Sequence, residues 1–309
     1  MNSKKKKRIK SRYVWPYLFV LPFFVIYIAF NCYPLVYTFF ISLKDWNGFS
    51  EARSVGFENY ITLFTKDQYF LKAIQNTLLF MVFDIPIVII GGLVLASAFN
   101  SKHLKGVNFF RTAAFLPYIT IPVAIGVLFS LLFDWNSGAV NALLQKTGLI
   151  QTPLNFLGQP GLARMVVILM ICWKYIGYHM IFFNAGITGI SMDIYEAADV
   201  DGANGFVKFI KITMPYMLFV TAPYLITTFT ANINNFNIVY LLTKGDPVMA
   251  GATAGKTDLL VTWLYKMTID YQYYNLGAVI GIMTFIFLAI GSLLVYRRTK
   301  AYKDEEGFQ

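Results

Sequence analysis

The sequence predicts an all-α polytopic membrane protein with six transmembrane helices, and three observations carry that reading. The 309-residue chain is 57% hydrophobic and 17% aromatic but only 14% charged, against about a quarter charged in an ordinary soluble domain. Its charges are bunched: none stands between Arg12 and Lys44, and none between Lys211 and Lys244. Six such stretches reach the length of about 20 apolar residues that a bilayer core of about 30 Å demands, because backbone groups in hydrocarbon can bond only to one another.

The first span, 15–38, follows the basic run KKKKRIKSR. It is longer than the apolar core of about 7–15 residues in a secretory signal, and its far end, IAFNCYPLVY, offers no small-residue cleavage site. It is therefore expected to stay as a helix. The second span, 74–99, and the fourth, 163–187, are each interrupted by one charge, Asp84 and Lys174 respectively. The third, 112–133, the fifth, 216–242, and the sixth, 275–296, have none. Cys32 and Cys172 both fall within spans, so no disulfide framework or metal cluster is implied.

Lys and Arg placement gives the orientation. Sixteen lie in the two tails and in the second and fourth connections, and nine on the other side, so the positive-inside rule puts both termini in the cytoplasm. The chain reads as one membrane domain, 14–297, between a basic tail, 1–13, and a carboxyl tail, 298–309. The lysine tail suits topology and contact with anionic membrane lipid, at about 1 kcal/mol per basic residue. No basic helix or stacking platform accompanies it, so nucleic acid is not an expected partner. In the external loops, GFENYITLF, QYFLKAIQNTLLF and GAVNALLQKTGLI have the spacing of short amphipathic helices, the last closed by Gly148.

The cytoplasmic connection at about 188–215, SMDIYEAADVDGANGFVKFIKITMP, is not a solvated linker. Asp193 and Glu196 have capping-box spacing, so a helix is expected to start at Asp193. Ala197 and Ala198 leave one face nearly bare, and Gly202 permits a left-handed turn that ends the helix. A second amphipathic stretch, Phe206 to Ile212, leads to Pro215 at the mouth of the fifth span.

At these residues the chain resembles the membrane subunits of ATP-binding-cassette importers, whose signature is E-A-A, three residues, G, nine residues, I-x-L-P. Glu196, Ala197, Ala198, Gly202, Ile212 and Pro215 match it, with Met214 in place of Leu. The resemblance implies the type I importer permease fold and a coupling helix docked in a groove of an ATPase subunit. It also implies two ATP-binding subunits, a second homologous permease and an extracytoplasmic solute-binding protein. The carboxyl third, from ANINNFNIVYLLTKGDP onward, is similar to the maltose-type, MalF-like sugar permease branch. Some members of that branch carry extra amino-terminal helices and a large external domain; here the external contacts to a sugar-binding protein are expected to use the short loops.

Asn232, Asn234, Asn235 and Asn237 fall in what should be hydrocarbon, where amides are costly without a reason. Thr228, Asn232 and Asn235 share one face of a helix, and a polar face among aromatics suits a sugar. The resemblance assigns sugar contact to Asn232, Asn235 and Tyr178. The same amides would also serve as glue between helices, at about 0.6–2 kcal/mol each. Lys174 needs a partner, because a charge at mid-bilayer costs about 2.5–3.5 kcal/mol. Asp84, at a similar depth, is one candidate, giving an intramembrane ion pair; a carboxylate on an acidic sugar held beside Trp173, Tyr175 and Tyr178 is the other. His179, next to this cluster, reads as a helix-packing hydrogen bonder.

GATAGKT, 251–257, has one residue too few for a phosphate loop, and no catalytic triad or metalloprotease motif is present. The expected function is a non-enzymatic permease subunit that imports an oligosaccharide, maltodextrin-like or acidic, without cofactor or metal, across a prokaryotic plasma membrane. An ion-coupled secondary transporter is the alternative; it would be expected to show repeated halves with midplane carboxylates.

Overall fold

A computed structural model describes residues 15–49, 51–100, 104–248 and 255–298. The basic tail, the carboxyl tail beyond 298 and most of the GATAGKT segment lie outside the described residues. Helix α1, Trp15–Ser42, contains Pro22 and a π-helical turn at Ile28–Cys32, and only Ile41 and Ser42 of it are buried. A helix that is apolar all round has no preferred inner face, so its rings stand uncovered by the rest of the chain. A two-residue hairpin, β1 Lys44–Asp45 with β2 Arg53–Ser54, and the short helix α2, Glu58–Thr65, lead to the second span.

That span, α3, runs Gln68–Phe99 and starts earlier than hydropathy suggests. Asp67 Oδ1 accepts from the Tyr69 and Phe70 N–H groups at 2.8 and 3.0 Å and nucleates it there. The stretch QYFLKAIQNTLLF is therefore the first part of the span and not a separate piece. Helix α7, Pro160–Ile187, packs along it. The two approach closely at Gly92, where a Cβ would come within 2.6 Å of the His179 Cβ.

The third span is broken. Helices α4, Val107–Ile119, and α5, Pro122–Leu132, meet at 97°. Pro122 pushes the preceding residue out of helical space, and Thr120 and Ile121 are both extended. After α5 comes the short helix α6, Ala139–Lys146, and Gly148 follows it with φ +73°.

Helix α8, Met192–Val200, precedes the fifth span, which is also bent, by 73° between Gly205–Val220 (α9) and Pro223–Thr243. Within the latter, α10, Ala222–Ile233, and α11, Phe236–Thr243, are separated at Asn234 and Asn235. The short helix α12, Leu260–Tyr265, and the last span, α13, Tyr274–Arg298, complete the chain. Among the described residues four helices are thus long and apolar enough to cross a bilayer unaided, and up to six spans result when each bent pair is one. The fold is the expected mostly helical polytopic one, with two of the six spans broken.

The core has three parts. Phe80, Phe129, Val166, Met170 and Ile238 gather α3, α5, α7 and α11. Leu63, Phe70, Trp263 and Val279 join α2, α3, α12 and α13. Leu93, Met180, Phe183 and Met217 hold α3, α7 and α9 together. On the side read as external, Arg164 donates to Asn76 Oδ1 and to the Lys256 carbonyl, both at 2.9 Å, and a buried Lys266–Asp258 pair at 2.7 Å ties the last loop to α12.

Candidate functional site

The corner between the fourth and fifth spans is built as a rigid, exposed knuckle. Helix α8 is capped by Ser191, whose Oγ accepts from the Asp193 N–H at 3.3 Å. The helix therefore starts before Asp193, the position the acid spacing suggested, because serine is the nearer hydroxyl cap. Its far end closes at Gly202, φ +73°, with Ala203 N–H bonded to the Ala198 carbonyl at 2.9 Å, the six-to-one bond of a Schellman turn. Asn204 Oδ1 then caps the start of α9 at Val207 N–H, 2.9 Å. The Lys208–Asp199 pair, 2.6 Å, staples the two helices across the corner, and Tyr195 and Thr213 share a hydroxyl bond of 2.8 Å.

No residue of α8 is buried. Met192, Ile194, Val200 and Phe206 are exposed, Val200 at 89%, and Glu196 and Ala197 are exposed with them. Ala198 and Ile212 are half-buried and Pro215 is exposed, so the six signature positions lie along one bent surface element rather than in one pocket. An apolar knuckle left bare on a fixed frame is the form of a docking element.

The second feature is a cavity of about 320 Å³ between α4, α7 and α10. Tyr118, Tyr175, Tyr178 and Tyr224 contribute rings, and Thr227, Thr228, Asn232 and Asn235 contribute hydroxyls and amides. Tyr118 and Tyr178 stack with centroids 4.3 Å apart. The structure therefore brings Tyr175, Tyr178, Thr228, Asn232 and Asn235 together. Asn235 reaches the cavity from the break between α10 and α11 and not from a continuous helical face. Trp173 does not line it; its ring packs on Phe129 at 5.6 Å and is 41% exposed.

Lys174 does not line it either. Its Nζ donates to the carbonyls of Pro117, Tyr118 and Thr120 at 3.3, 3.0 and 3.0 Å. These are the acceptors that the break after α4 leaves without helical partners. The expected Asp84–Lys174 ion pair is absent. Lys174 Nζ is turned instead toward the end of α4, where the Tyr118 and Thr120 carbonyls take it up. Asp84 is fully buried, and neither carboxylate oxygen has a hydrogen-bond partner; the Asn232 amide stands near it, short of bonding geometry.

Sequence reasoning passed over Tyr118, Tyr224 and Thr227's part in the cavity, and read His179 as packing only. Tyr118 is the residue next to Pro117 before the break at Pro122, which is the signal that could have marked it.

Residues 88–301 match the family described as the binding-protein-dependent transport system inner membrane component. The chain belongs to that family. It is a permease subunit of a binding-protein-dependent ABC importer, an inner-membrane component whose ATP hydrolysis lies in separate subunits. The permease is 34% identical over 301 residues to the galactooligosaccharides transport system permease protein of Bacillus subtilis (strain 168), covering 94% of this chain and 70% of that one. It is 31% identical to the arabinooligosaccharides transport system permease protein of the same organism, covering 96% and 91%. Among solved structures, it is similar to a chain of a bacterial alginate ABC transporter in complex with an alginate pentasaccharide-bound periplasmic protein. That match has a TM-score of 0.79 and 25% identity, over 92% of this chain and 93% of that one. An ion-coupled secondary transporter is thereby set aside.

Proposed function

We propose that this permease carries an oligosaccharide inward through the Tyr118–Tyr178–Asn232 cavity, as one of two permease subunits driven by two ATP-binding subunits. Both termini face the cytoplasm, an extracytoplasmic solute-binding protein delivers the sugar, and the α8 knuckle from Glu196 to Gly202 docks on an ATPase. Closure of the ATPases on ATP moves the knuckle and alternates access to the cavity.

One observation carries this reading: a half-open space between the helices is walled by stacked tyrosines and by threonine and asparagine side chains. Hydrocarbon would not retain those amides without use, and aromatic faces with convergent amides suit a sugar's ring faces and hydroxyls. The oligosaccharide relatives support the substrate class, and the bare knuckle with its left-handed Gly202 supports the docking.

The test is uptake by proteoliposomes holding the whole importer, with maltotriose, galactotriose and arabinotriose as probes. ATP-dependent uptake of at least one, lowered about tenfold or more by Asn232→Leu in an assembled complex, is the expected result. Uptake indifferent to Asn232→Leu overturns the cavity assignment.

A further inference from the structure

His179 on α7 and Tyr224 on α10 both line the cavity, and each has a buried polar atom with no hydrogen-bond partner among the described residues. Both side chains are more than nine-tenths buried, at 4% and 9% exposure. An unpartnered polar atom so placed costs about 1–3 kcal/mol, a cost that persists in a fold only where something else repays it in the working state.

The two atoms are complementary in kind. His179 Nδ1 lies 2.9 Å from the Tyr175 carbonyl. A carbonyl can only accept, so Nδ1 carries the hydrogen, and in the neutral ring Nε2 presents a lone pair. Tyr224 Oη has a hydrogen to give. Thr228 Oγ1 gives its own hydrogen to the Tyr224 carbonyl at 3.1 Å and stands beside the phenol as an acceptor short of hydrogen-bond geometry.

Both rings are also held still. Tyr224 stacks on Phe182 with centroids 3.7 Å apart and meets His179 edge-on at 5.5 Å. Gly92 presses α3 against the His179 backbone. The result is one acceptor and one donor carried on neighbouring, packed rings and not bonded to each other.

We propose that His179 and Tyr224 are a specificity-determining pair that reads a single hydroxyl of the transported sugar, His179 Nε2 accepting its hydrogen and Tyr224 Oη donating to its oxygen. A hydroxyl is the small group that both gives and takes at one atom, so a neutral sugar residue bearing it is selected over one in which that position is deoxygenated. This rests on the reading of the cavity as the sugar path.

The experiment measures ATP-driven uptake of maltotriose, galactotriose and arabinotriose and their monodeoxy derivatives into proteoliposomes. Each reconstitution holds the complete importer with the same solute-binding protein, so a changed preference between probes belongs to the permease. His179→Asn keeps a donor to the Tyr175 carbonyl and removes the Nε2 acceptor; Tyr224→Phe keeps the ring and removes the hydroxyl. The wild type is expected to disfavour one monodeoxy derivative by about tenfold or more, and each variant to cut that ratio to about threefold or less. His179→Gln, which returns an acceptor at the Nε2 position, restores part of it.

Preferences identical to wild type in His179→Asn and Tyr224→Phe, while Asn232→Leu alters uptake, overturn the pair and leave the cavity standing. Indifference to all three substitutions removes the cavity reading as well. Equal loss for every probe in assembled complexes means a structural role and also overturns the pair. Transport of none of the three trisaccharides overturns both readings.

Discussion

The Lys174 ammonium lies 3.0 Å from the main-chain oxygen of Tyr118, so the cation that interrupts the fourth span is taken up by the broken end of the third. Two more carbonyls, of Pro117 and Thr120, share it. The residue that forces the break, Pro122, and the residue that makes it tolerable are therefore on different helices.

Lys174→Met should destabilise the solubilised permease by about 1–3 kcal/mol, because one buried and two half-buried carbonyls lose their donor. Asp84→Leu should be neutral or stabilising, since it removes a buried carboxyl that has no partner. With no ion pair between them, the double variant should be additive within about 0.5 kcal/mol, read from denaturant or thermal unfolding in detergent. A coupling of several kcal/mol would restore the ion pair.

Gly177 marks where α4 presses against α7, and a Cβ there would overlap the Ala114 carbonyl. Gly177→Ala should lower stability by about 1–3 kcal/mol through overpacking and displace the α4 end from Lys174. Gly161→Ala, in the first turn of the same helix with open space around it, should have little effect. Equal melting temperatures for the two variants would contradict the close approach.

Gly202 is required for its backbone and not for room, since its φ is +73° and a Cβ there would meet nothing within 4 Å. Gly202→Val should strain the turn by about 1–2 kcal/mol and weaken co-purification with the ATPase, whereas Gly202→Asn, which tolerates left-handed geometry, should retain most of it. A pull-down across the series Gly, Asn, Ala, Val gives the order; a ranking by side-chain volume alone would refute the backbone argument.

The Lys266–Asp258 pair is buried on both sides, at 10% and 0% side-chain exposure, and Asp258 also accepts from Gly255 N–H and Thr262 Oγ at 2.7 and 3.0 Å. Lys266→Met leaves that carboxylate without its cation and should cost about 3–5 kcal/mol, with part of the loss recovered in Lys266→Met/Asp258→Leu. A loss under about 1 kcal/mol, measured by unfolding in detergent, would mean that water reaches the pair.

The spans were legible because burial in hydrocarbon writes itself into composition along the chain, residue by residue. So were Gly202 and the helix before it, since a left-handed turn and a bare alanine face need particular residue types at particular spacing. Less of the cavity could be read. Thr228, Asn232, Asn235 and Tyr178 stand out as polar or aromatic groups in apolar surroundings, but Tyr224 and Tyr118 look like any membrane tyrosine until α4, α7 and α10 converge on one space. Lys174 is legible as a charge in need of a partner, but neither expected partner, Asp84 or a sugar carboxylate, foreshadows the carbonyls it meets, because depth along a helix can be counted from sequence and rotation about its axis relative to a neighbour cannot.

The sequence by itself determined which stretches are long and apolar enough to cross the bilayer, which way the chain is expected to run, and where the knuckle before the fifth span turns. These are properties of one segment and its solvent. Which buried polar groups answer one another was decided only by tertiary structure: the carbonyls of a broken helix for Lys174, and no group in hydrogen-bond geometry among the described residues for His179 Nε2 and Tyr224 Oη. A hydrogen bond depends on the last ångström between side chains on separate helices, and that distance is set by how glycine contacts and proline breaks seat whole helices against each other.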